Sequence, residues 1–258
     1  MMAATRTSID RLLRPRSVAV VGASAEPFSL GANVMANFGT FGFSGELYPV
    51  SGRFEEVEGI ACRKALSELP NGVDMAALVV PAGAVRQAIE DCAAKGMGGA
   101  VIFASGFAEL GEEGIKEQEA IARIASDAGM AVLGPNCLGF TNFVASVPMT
   151  FERIQPMKLV GPGVAVVAQS GAMTGNIREA LRSRGLPIAY RWTGRVAMTA
   201  DHLPHVHQPL PGLTMAAGYN GRGVALSSAL GTAIGGHLLD DAQPLPFRFT
   251  DIRPLPAH

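Results

Sequence analysis

Short loops that combine glycine with a small polar residue are the places where this sequence could do chemistry. The loop Gly22-Ala23-Ser24 follows the β-branched run Ser17–Val21 and precedes a helical pattern that begins near Gly31. Glycine lets the backbone approach a phosphate, and the first N–H groups of a helix have no intrahelical acceptor. The dinucleotide fingerprint G-x-G-x-x-G is not met. The loop therefore predicts a phosphate site, with a plain strand-to-helix turn as the alternative.

A second loop, Gly134–Gly139, has a more specific composition. Its glycine and proline set a turn, and Asn136 can present its amide to a ligand or cap backbone groups. Cys137 follows directly. The alternative interpretation is a tight structural loop with a buried thiol.

The third loop, Gln169-Ser170-Gly171, lies at another predicted strand-to-helix junction. A serine there can donate to an anion held by the helix N-terminus. It also permits a hydrolase interpretation with Asp201 and His202 as partners. Alanines occupy both outer positions of the nucleophile pattern G-x-S-x-G, so anion binding is favoured.

Composition narrows the classes of protein that the chain can be. The net charge of -1 gives no electrostatic reason to expect nucleic acid or an anionic membrane as a partner. No apolar stretch reaches the roughly 18 residues that a membrane-spanning helix needs. The cysteines Cys62, Cys92 and Cys137 are few and widely spaced, which is typical of reduced thiols in a cytoplasmic protein and predicts no metal site.

The elements that must position these loops alternate between strands and helices. Strands are predicted at Ser17–Val21, Glu46–Val50, Met75–Val80, Gly99–Phe103, Ala131–Leu133 and Gly163–Ala168, and helices at Gly31–Phe41, Gly83–Lys95, Glu112–Ala128 and Gly171–Arg184. This alternation predicts an α/β fold with a doubly wound, parallel, Rossmann-like sheet. Ligands of such sheets bind beyond the carboxyl ends of the strands, where the loops lie.

The pattern changes after Tyr190. Strands are predicted at Val196–Thr199 and Leu213–Ala217, a helix at Gly223–Leu239, and an extended proline-rich end. All five histidines of the chain lie in this part. We therefore expect three regions: a Rossmann-like domain at 1–142, the start of a second α/β unit at 143–190, and a small α+β tail at 191–258.

Residues 12–189 resemble the CoA-binding α portion of NDP-forming acyl-CoA synthetases, the relatives of succinyl-CoA ligase. The resemblance is carried by LLRPRSVAVVGAS, GFSGELYPV, EEVEG, GGAVIFASGFAELGEEG, GPNCLGF with Asn142, and GVAVVAQSGA. These segments occur in family-like order and spacing. The resemblance implies CoA or acyl-CoA as ligand, and it implies a reaction that joins an acid to CoA through an acyl phosphate and a phosphohistidine.

The resemblance also implies roles for individual residues. It places Gly22, Ala23 and Ser24 against the CoA phosphates, Pro49 and Val50 along the CoA groove, and Pro81 and Ser105 near the thiol end. It assigns the pocket that receives the phosphohistidine to Asn136, Cys137, Ser170 and Gly171. Two helix ends aimed at one phosphate suit that purpose.

Two departures from the family bear on activity. Ser51-Gly52 stand where the family continues with Asn-Pro, and the chain has no Ser-His-Thr-Gly-like loop that would carry the phosphorylated histidine. The nucleotide-grasp domain has no counterpart either. The resemblance therefore implies a CoA-binding protein that is inactive alone and dependent on a nucleotide-grasp partner chain. A non-catalytic CoA or acyl-CoA sensor is the alternative.

Residues 191–258 resemble the C-terminal end of FAD-dependent oxidoreductases of the D-amino-acid oxidase type. The resemblance is carried by WTGRVAMTADHLPHV, PGLTMAAGYNGRGVALSSALG and PFRFTDIRPLPAH. It implies that Gly218, Asn220, Gly221 and Gly223 derive from a loop that meets the flavin ring. The family's ADP-binding Rossmann motif is missing, so weak FAD binding or none is expected. A flavin oxidoreductase fragment is a further functional hypothesis, and a metal cluster of Asp201, His202, His205 and His207 is a weaker one.

Overall fold

A computed structural model describes residues 6–157, 164–168, 188–193, 205–210, 213–217 and 230–237, together with Gly175, Ile177 and Ala180. The chain divides into two compact units, residues 1–156 and 157–258. The first unit holds the Gly22, Pro81, Ser105 and Asn136 loops.

A five-stranded parallel sheet forms the centre of the first unit. Its strands are β1 (Ser17–Val21), β2 (Glu46–Val50), β5 (Met75–Leu78), β6 (Gly99–Ile102) and β7 (Ala131–Leu133), in the order β2-β1-β5-β6-β7. All four neighbouring pairs are parallel. The predicted Rossmann-like α/β sheet is confirmed, and the order reverses at β1, where such sheets bind ligands.

The three helices predicted in the first unit are present, with ends shifted by at most one residue. The helices of this unit are α1 (Ser8–Leu13), α2 (Leu30–Phe41), α3 (Ala82–Ala94) and α4 (Glu112–Asp127), with short 3-10 turns at Leu66–Glu68 and Ala108–Leu110. The strand β5 ends at Leu78 rather than at the predicted Val80. Val79 and Val80 follow the strand and are half-buried, and the Val79 N–H still donates to the Val21 carbonyl at 2.8 Å.

The sequence interpretation missed the strands at Phe140–Asn142, Ile188–Thr193 and His205–Leu210, and it missed two small elements that precede β5. Helix α1 begins after Thr7, whose side chain accepts a hydrogen bond from the Asp10 N–H, a capping signal that the sequence does carry. The hairpin of β3 (Glu56–Val57) and β4 (Ile60–Ala61) turns through Glu58-Gly59 with positive φ at both residues. Its strands are too short for a period-2 pattern to reveal.

The core lies where the central strands meet the helices that cover them. Every residue of β5 and β6 is buried. On one face they pack against Val85, Ile89 and Cys92 of α3 and Ile121 of α4. A parallel strand with both faces covered needs a continuous apolar run. Such a run can be recognised in the sequence, which explains why these strands were predicted.

A carboxylate at the amino end of the sheet holds α1 in place. Asp74 accepts hydrogen bonds from the guanidinium groups of Arg6 (2.5 Å) and Arg11 (2.9 Å) and from the Arg16 backbone N–H (2.7 Å). Burial by itself would raise the pKa of Asp74, but these three donors outweigh it and hold that pKa below its ordinary value.

We expect Asp74→Asn to lower the free energy of unfolding by about 1–3 kcal/mol at pH 7, because two arginines lose their partner. A carboxyl with a lowered folded-state pKa contributes stability above its unfolded pKa and loses it as pH falls through the folded pKa. The difference between the two proteins should therefore shrink below pH ~4. Urea unfolding followed by circular dichroism at pH 7 and in acid measures this. Asp127→Asn, on an exposed helix end, should change the free energy of unfolding little. Equal effects of both variants would contradict the role of Asp74 in holding α1 in place.

The segment after β7 contains the short strand β8 (Phe140–Asn142) and then returns across α2 as a strap, defined here as residues 148–154. The buried Asn37 side chain of α2 donates to the carbonyl oxygens of Thr150 (2.8 Å) and Glu152 (2.7 Å). Its amide oxygen accepts from the Ile154 N–H at 3.5 Å. Phe151 packs edge-on against Phe103 at a ring-centroid distance of 5.4 Å. One side chain thus fixes the strap against the sheet.

The second unit contains two strand pairs among its described residues. Strands β9 (Val164–Ala168) and β10 (Ile188–Thr193) are parallel, and β11 (His205–Leu210) and β12 (Leu213–Ala217) are antiparallel. Residues 230–237 are helical, within the predicted Gly223–Leu239 helix. The predicted helix Gly171–Arg184 and the predicted strand Val196–Thr199 lie largely or wholly outside the described residues. No helix in the described part of the chain is long and apolar enough to span a membrane.

Candidate functional site

A cavity of about 510 Å³ opens at the carboxyl ends of β1, β5 and β6. Four residues singled out in the sequence line it: Gly22, Ser24, Pro81 and Ser105. Their side chains or backbones come from three different strand-to-helix loops. The parallel sheet therefore brings together residues that are up to 83 positions apart in the chain, as its topology predicts.

Two glycines allow the first loop to pack tightly. Gly22 has a φ of +89°, and a Cβ there would lie 2.0 Å from the carbonyl oxygen of Val79. Gly31, at the start of α2, approaches the carbonyl of Gly22 so closely that a Cβ would lie 2.1 Å from that oxygen. The contact between Gly31 and Gly22 sets the distance between the loop and the helix N-terminus.

The backbone amides of this loop are arranged differently from the prediction. The N–H groups of Gly22 and Ala23 both donate to the carbonyl of Val50, at 3.0 and 3.2 Å, and the Ala23 side chain is buried. They are therefore engaged in joining the loop to β2. Pro49 and Val50 are buried and lie outside the lining of the cavity. Val50 contributes to the site through its backbone carbonyl, which holds the Gly22 loop against β2.

Ser24 lines the first cavity with a hydroxyl group that can still donate a hydrogen bond. Its side-chain oxygen accepts a hydrogen bond from the Glu26 N–H at 3.0 Å, which leaves the hydroxyl hydrogen available as a donor. Ser29 caps α2 by accepting from the Ala32 N–H at 3.2 Å. Because Ser29 accepts from the Ala32 N–H, the Leu30 and Gly31 N–H groups of the first turn of α2 are the anion-binding donors that such a loop offers.

A second cavity of about 490 Å³ lies on the other side of Ser24. It was not foreseen from the sequence. Phe28, Glu58 and Arg153 line it, together with small residues of α2 such as Ala32 and Ala36. These lining residues come from a turn, a hairpin and the strap, and no sequence pattern connects them. Ser24 lines both cavities, so the two adjoin at this residue.

The loop Gly134–Gly139 lies beside the first cavity. The Asn136 N–H donates to the carbonyl of Ala104 at 2.8 Å, and Ala104 lines that cavity. Asn136 is exposed, with a φ of 53°. Cys137 is buried with its thiol directed at the Ile102 carbonyl, 3.4 Å away. Burial raises the pKa of Cys137 to about 11, so its side chain is a packed thiol at neutral pH rather than a ligand group.

Comparison with protein families identifies this fold. Residues 16–142 match the model of a family described as a CoA binding domain. Residues 16–142 of the N-terminal unit are thus similar to the CoA-binding domain family. Its Gly22 loop, its Pro81 and Ser105 loops and its Asn136 loop all lie within the matched residues.

Relatives of the CoA-binding domain occur in acid–CoA ligases. A trans-feruloyl-CoA synthase from an unknown prokaryotic organism is 43% identical over 183 residues, which are 70% of this chain and 26% of the relative. The α subunit of ADP-forming acetate–CoA ligase II from Pyrococcus furiosus is 40% identical over 169 residues, 66% of this chain and 36% of that subunit. This chain thus spans about a quarter to a third of these curated relatives.

A solved structure supports the fold beyond the sequence match. The dinucleotide-forming acetyl-coenzyme A synthetase 1 of Ca. Korarchaeum cryptofilum, in complex with phosphate and ADP, superposes with a TM-score of 0.65 and 33% identity. The match covers 72% of this chain and 39% of that one. The resemblance of residues 12–189 to the α portion of these synthetases is confirmed.

Several predicted site residues lie outside the described part of the chain. They are Ser170 and Gly171 of the third loop, and Gly218, Asn220, Gly221 and Gly223 of the flavin-like loop. These relatives give no support to the flavin-oxidoreductase resemblance of residues 191–258. That resemblance, the FAD site and the predicted domain boundaries remain predictions. Asp201 and His202, two of the four residues of the hypothetical metal cluster, also lie outside the described residues.

Proposed function

We propose that the CoA-binding domain binds CoA or acyl-CoA along the two cavities that adjoin at Ser24. The observation that carries this proposal is the convergence of Gly22, Ser24, Pro81 and Ser105 on one cavity at the switch point of the sheet. Each cavity lies in the size range of small-ligand sites, and together they suit an elongated ligand. The family match over residues 16–142 supports it independently.

The proposed roles follow the geometry of the loops. Ser24 and the first turn of α2 hold the phosphates, while Gly22 and Ala23 shape the loop. Pro81 and Ser105 line the same cavity, and the pantetheine and its thiol would run along them. Asn136 is exposed and its N–H donates to the carbonyl of Ala104, so its side chain would meet a phosphorylated group at the edge of the first cavity.

In the reaction, this domain is the CoA-binding α part of an NDP-forming acid–CoA ligase. The phosphohistidine and the nucleotide-grasp function are proposed to come from a partner subunit, because one of the relatives is named as the α subunit of its ligase. The relatives named as ligases and synthetases support this reading. Acyl-phosphate turnover with such a partner would distinguish a ligase component from a non-catalytic sensor. A purified protein with the yellow colour of flavin would favour the hypothesis of a flavin-oxidoreductase fragment.

Calorimetric titration of the folded chain with CoA tests the proposal. We expect saturable binding with one site and a micromolar dissociation constant. NAD serves as the control, because it carries an adenine nucleotide and a pyrophosphate but no pantetheine, and the loop departs from the dinucleotide fingerprint. Equal affinity for CoA and NAD, or absence of CoA binding by a folded protein, would overturn the proposal.

A further inference from the structure

The loop that carries Ser105 runs from Ala104 to Gly111, between β6 and α4. It belongs to the segment GGAVIFASGFAELGEEG, of which the proposed function uses Ser105 alone. Ser105 is exposed and lines the first cavity. An exposed loop residue keeps one place at a cavity when its neighbours hold the backbone, so the contacts within this loop decide how well Ser105 is placed for a ligand.

Packing and a backbone hydrogen bond fix two points of this loop. The Ala104 carbonyl accepts from the Asn136 N–H at 2.8 Å. Phe107 is fully buried, and its carbonyl lies so close to Gly114 of α4 that a Cβ on that glycine would be 1.8 Å from the oxygen. The segment between these two points contains Ser105.

A carboxylate holds the middle of the loop. Glu109, in the 3-10 turn Ala108–Leu110, reaches back and accepts a hydrogen bond from the Gly106 N–H at 2.6 Å. Hydrogen bonds from backbone N–H groups to carboxylates are stronger than those between neutral groups. Gly106 has a φ of 107°, and a Cβ there would be 3.2 Å from the Cβ of Ala82, the first residue of α3. Because the Gly106 nitrogen is bonded to the carbonyl carbon of Ser105, this contact fixes the planar peptide group that follows Ser105.

From this geometry we infer that Glu109 is a positioning residue, which keeps Ser105 in place at the cavity for the pantetheine and thiol end of CoA. The inference rests on the proposed function and adds to it a residue outside the lining of the cavity. Glycine has access to many backbone conformations, so Gly106 by itself does not restrict the segment. Without the Glu109 carboxylate, the peptide group between Ser105 and Gly106 rotates more freely, and Ser105 contacts the ligand for a smaller fraction of the time.

Titration of the folded chain with two ligands tests the inference. CoA carries the pantetheine and the thiol, whereas 3′,5′-ADP is the nucleotide end of CoA alone. We expect Glu109→Ala to bind CoA about five-fold more weakly and to bind 3′,5′-ADP like the wild type. Glu109→Gln keeps an oxygen that accepts from the Gly106 N–H, so it should restore most of the affinity for CoA. The control Glu113→Ala removes an exposed carboxylate that pairs with Lys116 at 2.8 Å, and it should bind both ligands normally.

The ratio of the two affinities separates positioning from a general effect on the fold. A structural role of Glu109 would lower thermal stability and weaken the binding of both ligands alike, and that result would overturn the inference. Unchanged CoA binding by Glu109→Ala, or an equal loss in Glu109→Ala and Glu109→Gln, would overturn it as well. Failure of the wild type to bind CoA at all would instead refute the proposed function, so the two failures are distinguishable.

A double-mutant cycle shows whether Glu109 acts through Ser105. Ser105→Ala should weaken CoA binding by a similar factor, and the variant with both substitutions should bind CoA no more weakly than Ser105→Ala alone, because the positioned hydroxyl is already gone. Losses that multiply, or a Ser105→Ala protein with full CoA affinity, would show that Glu109 does not act by placing Ser105.

Discussion

Gly31→Ala is expected to weaken CoA binding about tenfold, or ~1.4 kcal/mol, and to lower the free energy of unfolding by about 1–3 kcal/mol. The added Cβ would lie 2.1 Å from the Gly22 carbonyl oxygen and 3.2 Å from the Ser24 nitrogen. Both neighbours are backbone atoms and cannot rotate away. Helix α2 must therefore move from the loop that places Ser24 between the cavities. Calorimetry with CoA and urea unfolding measure the two effects.

A matched control lies on the same helix. A Cβ at Gly39 would meet nothing within 4 Å, so Gly39→Ala removes a helical glycine without a clash. This variant should bind CoA normally and gain up to about 1 kcal/mol of stability, because alanine is the better helix former. If Gly31→Ala behaved like Gly39→Ala, the tight packing of α2 on the Gly22 loop would be refuted.

The second large effect is expected at Asn37, which is buried beneath the strap. Asn37→Leu keeps the approximate volume but removes the donors to the Thr150 and Glu152 carbonyls. Leaving such groups unpaired should lower the free energy of unfolding by about 2–4 kcal/mol. CoA affinity should fall as well, because Phe151 and Arg153 of the strap line the two cavities.

Unfolding in urea, followed by circular dichroism, measures this loss. Fluorescence would not report on it, since the only tryptophan, Trp192, belongs to the second unit. Thr40→Ala is the control: the exposed Thr40 hydroxyl only bonds the Ala36 carbonyl of its own helix, at 2.8 Å. That substitution should change stability by less than about 0.5 kcal/mol. An Asn37→Leu protein as stable as Thr40→Ala would show that the strap needs no such anchor.

The central strands of this protein were predictable because their apolar runs are continuous. All residues of Gly99–Ile102 and the middle three of Ser17–Val21 are buried, as parallel strands covered on both faces require. The β3–β4 hairpin was not predictable, because two-residue strands carry no periodicity. The signal available in the sequence was Gly59, which suits a turn with positive φ. Glu58, which also has positive φ, is an unusual residue for such a position.

The loops of the candidate site were predictable from the sequence, whereas the hydrogen bonds within them were not. Gly22, Ser24, Pro81 and Ser105 stand directly after parallel strands, and sheet topology alone requires such loops to converge. The hydrogen bonds of the Gly22 and Ala23 amides to Val50 were not predictable, since they depend on how β2 ends beside β1. Nothing in a linear pattern states which backbone donors remain for a ligand.

What the sequence determined by itself is the alternation of elements and the positions of the ligand loops, because both follow from local burial and turn chemistry. The tertiary structure decided the second cavity. Asn37 and Thr150 are 113 residues apart, and their contact brings Arg153 of the strap beside Phe28 and Glu58. A contact of that sequence separation depends on the packing of a whole helix against a returning segment. Local propensity does not predict such a contact.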